Sequence, residues 1–225
     1  AHYVMGGVRV DPHSQETSVP GLYAAGEVAT GMHGANRLGG NSLSDLIVFG
    51  KIAGEQAAEV ANDMDYFAGI GQLGIDDVVA ETLSPLQREG GENPAKVVSD
   101  LREMMQEKVG IIRTGSLLGE SMSDLDALEV RAANTSPGGT RTYNPGWHQA
   151  LELSAMIDVS RMCALAAHGR EESRGAHTRA DFPETDDSHW GKATSVISMG
   201  EDGSMDISYA SYPEIPKELR SLLDA

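Results

Sequence analysis

Five glycines, at 26, 31, 34, 39 and 40, frame a loop that also holds His33, Asn36 and Arg37. Gly21-Leu22-Tyr23-Ala24-Ala25-Gly26-Glu27 leads into it, and Asn41-Ser42-Leu43 follows it. The order is a strand candidate, a glycine loop and a helix start. Glycine lets backbone amides approach a ligand closely, and a helix start presents free N–H groups with partial positive charge. Such a turn suits an anionic group, either a phosphate or the N1/O2 edge of a reduced flavin. Glu27, just past the strand candidate, has the chemistry to accept hydrogen bonds from a ribose. Arg37 offers a bidentate fork for a carboxylate, and a histidine adds a donor. His33 lies within the loop, and His2 lies ahead of Gly6-Gly7 at the start of the chain. A dicarboxylate needs such donors to offset its desolvation. A structural strand–turn–helix connection would read the same way, and each residue taken singly also reads as a surface or structural group.

The elements that must position these residues follow from patterning. Residues 1–30 read as short strands and turns, with Leu22–Gly26 as a short buried strand. A long helix is expected from Asn41-Ser42 to about Asn62. Its caps are Asn and Ser, Asp45 is expected in its first turn, where the dipole favours an acid, and small residues at 50, 53, 54 and 57 allow close packing on a sheet or cofactor. Residues 63–92 form a connector, with a helix at 78–88 interrupted by Pro85. Three amphipathic helices follow, from Pro94 to about Val109, Ser121 to Asn134, and Pro145 to about His168. They predict a three-helix bundle over 93–170 with methionines as core filling. The tail, 171–225, carries a hairpin of 194–199 and 205–209 around Glu201-Asp202-Gly203.

Composition excludes several classes. The 225 residues include 34 acids and 17 bases, for a formal charge of −17. That surface repels nucleic acid and anionic lipid. The single cysteine, Cys163, lacks the spacing of a metal or iron–sulfur site and reads as a buried small hydrophobe. No run of about 18 apolar residues predicts a membrane span. No signal peptide is visible, so a cytoplasmic, reducing setting is the default. Gly69-x-Gly71-x-x-Gly74 has dinucleotide-fingerprint spacing, but it is not expected to follow a strand and open a helix, as the fingerprint requires. The opening Ala1-His2-Tyr3, without an initiator methionine, reads as a chain cut from a longer one.

His2-Tyr3-Val4-Met5-Gly6-Gly7 resembles the H-Y-x-M-G-G motif of the succinate dehydrogenase/fumarate reductase flavoprotein family. Residues 21–55, through His33-Gly34-Ala35-Asn36-Arg37-Leu38-Gly39-Gly40-Asn41-Ser42-Leu43, resemble that family's second flavin-contacting segment. Glu172-Ser173-Arg174-Gly175-Ala176-His177, with Arg179, Asp181 and Trp190, resembles its post-bundle segment. The resemblance implies an α/β remnant of a flavin-binding domain over 1–62, made of short strands, glycine loop and long helix, followed by the helical bundle and hairpin tail. It implies that His2 and Arg37 bind the substrate carboxylates, Glu27 the adenosine ribose of FAD, and Asn41, Ser42 and Leu43 the flavin edge. His33 takes a supporting role, and Arg174 and His177 are expected to tie the tail to the flavin domain.

By the same resemblance, the flavin-attaching histidine and the proton-donating arginine lie ahead of Ala1, so no catalytic residue is assigned. The chain alone is expected to bind FAD weakly or not at all, to lack turnover, and to expose apolar surface that could pair two copies. The parent would work with an iron–sulfur subunit and membrane anchor subunits at the inner face of the cell membrane. An L-aspartate oxidase shares the scaffold, but Gly39-Gly40 and Asp45 favour succinate and fumarate. A non-enzymatic helical interaction module built on 92–170 is the alternative from another class.

Overall fold

The computed structural model describes residues 2–63, 74–217 and 219–220. The chain divides into two compact units, Ala1–Val79 and Ala80–Ala225. Among the described residues, no helix is long and apolar enough to cross a membrane.

In the first unit the N-terminal segments meet as isolated bridges rather than continuous strands. Val8 pairs in parallel with Ala29, and Glu16 pairs antiparallel with Tyr23. The expected buried strand at 22–26 is therefore not formed: Leu22 is exposed and a short 3-10 turn begins at Gly26 (Gly26–Val28). Each segment finds a partner for only one residue, too little to build a ladder. Helix α1 runs Asn41–Asp63, close to the expected span. Gly40, in the left-handed region at φ +85°, precedes it, so Asn41 is already helical rather than a cap. Asp45 lies beyond the first turn and is buried, and its carboxylate serves a side chain rather than the dipole.

Helix α2, Ile75–Gln87, spans the boundary between the units and contains Pro85. Pro85 lies near the C-terminus, so the helix continues through it and ends two residues later. Of the Gly69–Gly74 spacing only Gly74 is described, and it directly precedes α2. Gly69 and Gly71 lie outside the described residues.

The second unit holds the apolar core. Helices α3 (Pro94–Lys108), α4 (Gly115–Ala133) and α5 (Pro145–Gly169) pack on one another around Val97, Leu101, Leu118, Leu125, Leu153 and Ile157. Met104 is buried there, and Met105, Met122 and Met156 are partly buried against the same cluster, so these methionines fill core. Pro94 and Pro145 open their helices behind Asn93 and Asn144, whose side chains accept from Ala95 N and Trp147 N. Helix α4 starts six residues earlier than patterning suggested, because Thr114 caps it through Leu117 N. Cys163 is exposed on α5, not buried.

The tail is fastened by charge. Strands β1 (Ile112–Arg113) and β2 (Thr178–Arg179) pair in parallel. Glu172 is fully buried and accepts from Arg170, Arg174 and Asp186 N. Burial pushes its carboxyl up, but those three donors outweigh it and hold the pKa at about 2. His177 Nε2 donates to Arg170 O at 3.1 Å, and its Nδ1 accepts from Arg113 at 2.8 Å. Arg174 pairs with Glu172 and Asp187. Arg174 and His177 therefore tie the tail to itself and to the segment ahead of α4, correcting the expected ties to the flavin domain. Strands β3 (Ala193–Met199) and β4 (Met205–Ser211) form the expected hairpin, with Ile197 opposite Ile207.

Candidate functional site

The first unit brings the N-terminal segment, the glycine loop and the start of α1 together. Val8 N donates to Val28 O at 2.7 Å and Thr30 N to Val8 O at 3.0 Å. Gly7 makes this approach possible, since a Cβ there would lie 2.3 Å from Val28 O. Val4 N adds a bond to Glu27 Oε1 at 2.9 Å. On the other side of the turn, Gly26 adopts φ +77° and a Cβ would meet Leu46 Cδ2 at 2.3 Å. Both glycines are thus required by packing within this unit.

A polar cluster sits between these segments. His33 Nε2 donates to Asp45 Oδ2 at 3.0 Å, with both side chains more than nine-tenths buried. Tyr3 meets the His33 ring edge-on at 5.6 Å. The Arg37 guanidinium lies 4.3 Å from the centre of the Tyr3 ring, and its Nη1 donates to Leu38 O. Arg37 Nε and Tyr3 Oη are both buried without a hydrogen-bond partner. The phenol lies near Ser42 but outside hydrogen-bonding geometry. Burial, then the nearby Asp45 and Glu27 carboxylates, push the Tyr3 pKa up, so the phenol stays neutral.

The predicted site residues fall as follows. His2 is exposed and is joined through the backbone to Tyr3, which carries Arg37. Glu27 is exposed, with one carboxylate oxygen taken by Val4 N and the other open. Asn41 and Leu43 are exposed and Ser42 is half-buried at the start of α1. Among the described residues, the Ser42 N–H has no partner. A Cβ at Gly6, Gly31, Gly34, Gly39 or Gly40 would meet nothing. Gly31, Gly34 and Gly40 answer turn geometry through positive φ, whereas Gly6 and Gly39 do neither. Sequence reasoning missed Tyr3 and assigned Asp45 to the helix dipole. No spacing signal links His33 to a residue one turn into the next helix.

These features suit an anionic ligand: an orphaned guanidinium N–H, a free amide at a helix start, and two glycines with open space and no local reason to be glycine. The family model described as "Fumarate reductase flavoprotein C-term" matches residues 98–220, more than half of the chain. The chain belongs to the fumarate reductase/succinate dehydrogenase flavoprotein family. An FAD binding domain model matches residues 1–43, ending at the start of α1. The fumarate reductase flavoprotein subunit of Mycobacterium tuberculosis is 37% identical over 216 residues, covering 92% of this chain and 37% of the relative. That of Escherichia coli is 36% identical over 218 residues, covering 93% and 35%. Mycobacterium smegmatis Sdh1, solved in complex with UQ1, superposes with a TM-score of 0.90 at 38% identity, covering 99% of this chain and 38% of that one. This flavoprotein chain thus spans little more than a third of the length of the relatives it matches.

Proposed function

We propose that this chain is the C-terminal part of an FAD-dependent flavoprotein subunit that interconverts succinate and fumarate. The observation that supports this best is Arg37, held on an aromatic ring with a buried Nε that lacks an acceptor, in the loop that leads to the unpaired Ser42 amide. FAD, when bound, supplies hydride transfer at N5. Arg37 and His2 hold the two carboxylates of a C4 diacid and so fix and polarise the carbon–carbon bond between them. Glu27 uses its open oxygen for the adenosine ribose. The Ser42 amide and its neighbours Asn41 and Leu43 form the wall at the flavin edge, where the helix dipole favours negative charge. Gly6 and Gly39 leave room for ring and substrate to approach the backbone.

No proton donor or flavin-attaching side chain is assigned within this chain, so the isolated chain binds FAD weakly or not at all and does not turn over. The parent works as one subunit of a complex, with an iron–sulfur subunit and membrane anchor subunits at the inner face of the cell membrane as the partners that the sequence resemblance implies; one relative is named as a flavoprotein subunit of fumarate reductase. Substituting Arg37→Ala in the flavoprotein carrying this chain tests the reading. Truncating a buried, hydrogen-bonded charge costs about 2–5 kcal/mol, so kcat/KM for succinate is expected to fall about thirtyfold or more. An Arg37→Ala enzyme with unchanged succinate and fumarate kinetics overturns it. Assay of the unaltered enzyme with aspartate separates an aspartate oxidase from a succinate/fumarate enzyme.

A further inference from the structure

We propose that Tyr3 is the positioning residue for Arg37, its ring face serving as the platform that holds the guanidinium ready for an anion. The proposal rests on Arg37 being a carboxylate ligand, as argued above.

The setting of Arg37 carries it. Arg170 and Arg179 also lie over aromatic rings, but each is paired with a carboxylate. Arg37 lies over the Tyr3 ring with a buried, unpartnered Nε and pairs with no carboxylate among the described residues, although the chain has twice as many acids as bases. The two acids nearest Tyr3 are committed elsewhere, Asp45 to His33 and Glu27 to the Val4 amide. The charge on Arg37 is therefore steadied but not neutralised. An aromatic face does this, because its quadrupole attracts the cation without supplying a formal negative charge to compete with a substrate. One donor, Nη1, is spent on the adjacent Leu38 carbonyl, which sets the plane of the fork.

Tyr3 is itself held. His33 packs edge-on against it, and Asp45 fixes His33 from α1. The platform thus draws on three segments that reach the site independently: the N-terminal stretch, the glycine loop and the helix. The hydroxyl makes no hydrogen bond, so the ring, rather than the phenol, does the holding.

The test uses the flavoprotein carrying this chain with its flavin bound, and malonate, a non-reacting dicarboxylate, as the titrant. Tyr3→Phe serves as the reference, and the same position filled with tetrafluorophenylalanine keeps the ring's outline while draining its face of electron density. Calorimetric dissociation constants are the readout, with the flavin absorbance spectrum confirming that both proteins are folded and loaded. Fluorination is expected to weaken malonate about three- to tenfold relative to Tyr3→Phe, and Tyr3→Leu to weaken it at least as much. Equal malonate affinity in the two aromatic variants overturns the proposal, since a merely structural ring would not respond to its electron density. Arg37→Ala separates the two levels. If it abolishes malonate binding while fluorination does nothing, only the positioning role fails. If it leaves malonate binding intact, the carboxylate reading fails and the positioning role with it.

Discussion

Two glycines of one dipeptide motif have different reasons to exist. Gly7 is fixed by its own unit: the Val8–Ala29 bridge brings Val28 O to where a Cβ would sit, and a backbone oxygen cannot swing aside. Gly6 faces open space without positive φ, and Gly39 does the same at the far end of the loop. Gly7→Ala is therefore expected to destabilise the flavoprotein by about 1–3 kcal/mol, read as a lower unfolding midpoint. Gly39→Ala should leave that midpoint of the flavin-free protein within about 0.5 kcal/mol while weakening flavin or dicarboxylate binding. A fold penalty from Gly39→Ala equal to that from Gly7→Ala would contradict this division. Sequence alone shows every glycine but cannot sort them, because the sorting depends on which backbone lies opposite. For the same reason the sequence offers Arg37 as a candidate anion ligand but does not show the ring beneath it.

At the scale of elements, helices announced themselves where chemistry marks their ends. Asn-Pro ahead of α3 and α5 gave their starts, while the Gly115-Ser116 opening of α4 looked like loop until Thr114 was seen to cap it. The β1–β2 pair is two residues long, too short for any periodicity. It is held by side chains that titrate. Arg113, Arg170 and Arg179 surround His177; burial and then the Arg113 and Arg179 charges lower its pKa, against an opposing bond to Arg170 O. A folded pKa below the ordinary 6.5 means the unfolded chain binds the proton first, so this contribution is complete above 6.5 and lost as pH falls below it. Protonation would also turn Nδ1 into a donor aimed at the Arg113 donor. Glu172 follows the same sign lower down, its contribution present above 4.5 and lost toward about 2. The unfolding midpoint of the second unit should fall between pH 7 and pH 5, and again below 4.5. Each 1 kcal/mol lost lowers that midpoint by roughly 2–4 °C in a domain of this size. His177→Gln should flatten the upper step and leave the lower one; an unchanged upper step in that variant would assign it elsewhere.

Across the whole chain, burial is uneven in a way that decides how the isolated molecule behaves. Among its described residues the first unit buries only Gln15, Gly26 and Asp45, none with an apolar side chain. Helix α1 leaves Leu43, Leu46, Ile47 and Val48 between 47% and 73% exposed. The second unit holds the entire buried apolar cluster. Patterning made the bundle legible, because its apolar faces repeat at helical spacing and meet one another. The same patterning on α1 names a face to be covered without naming what covers it. Hydrophobic burial is the main force opposing chain entropy, so the two units should differ in stability when the chain is made alone. Hydrogen exchange on the isolated chain is expected to show strong protection in α3, α4 and α5 and little in residues 2–63, unchanged by added FAD. In the flavoprotein carrying this chain, residues 2–63 should become protected. Strong protection of 2–63 in a monomeric isolated chain, or a flavin spectrum that survives gel filtration with it, would mean that this unit completes its own core and flavin site. The same protection seen only in a dimer would identify a second copy as cover for the exposed face of α1.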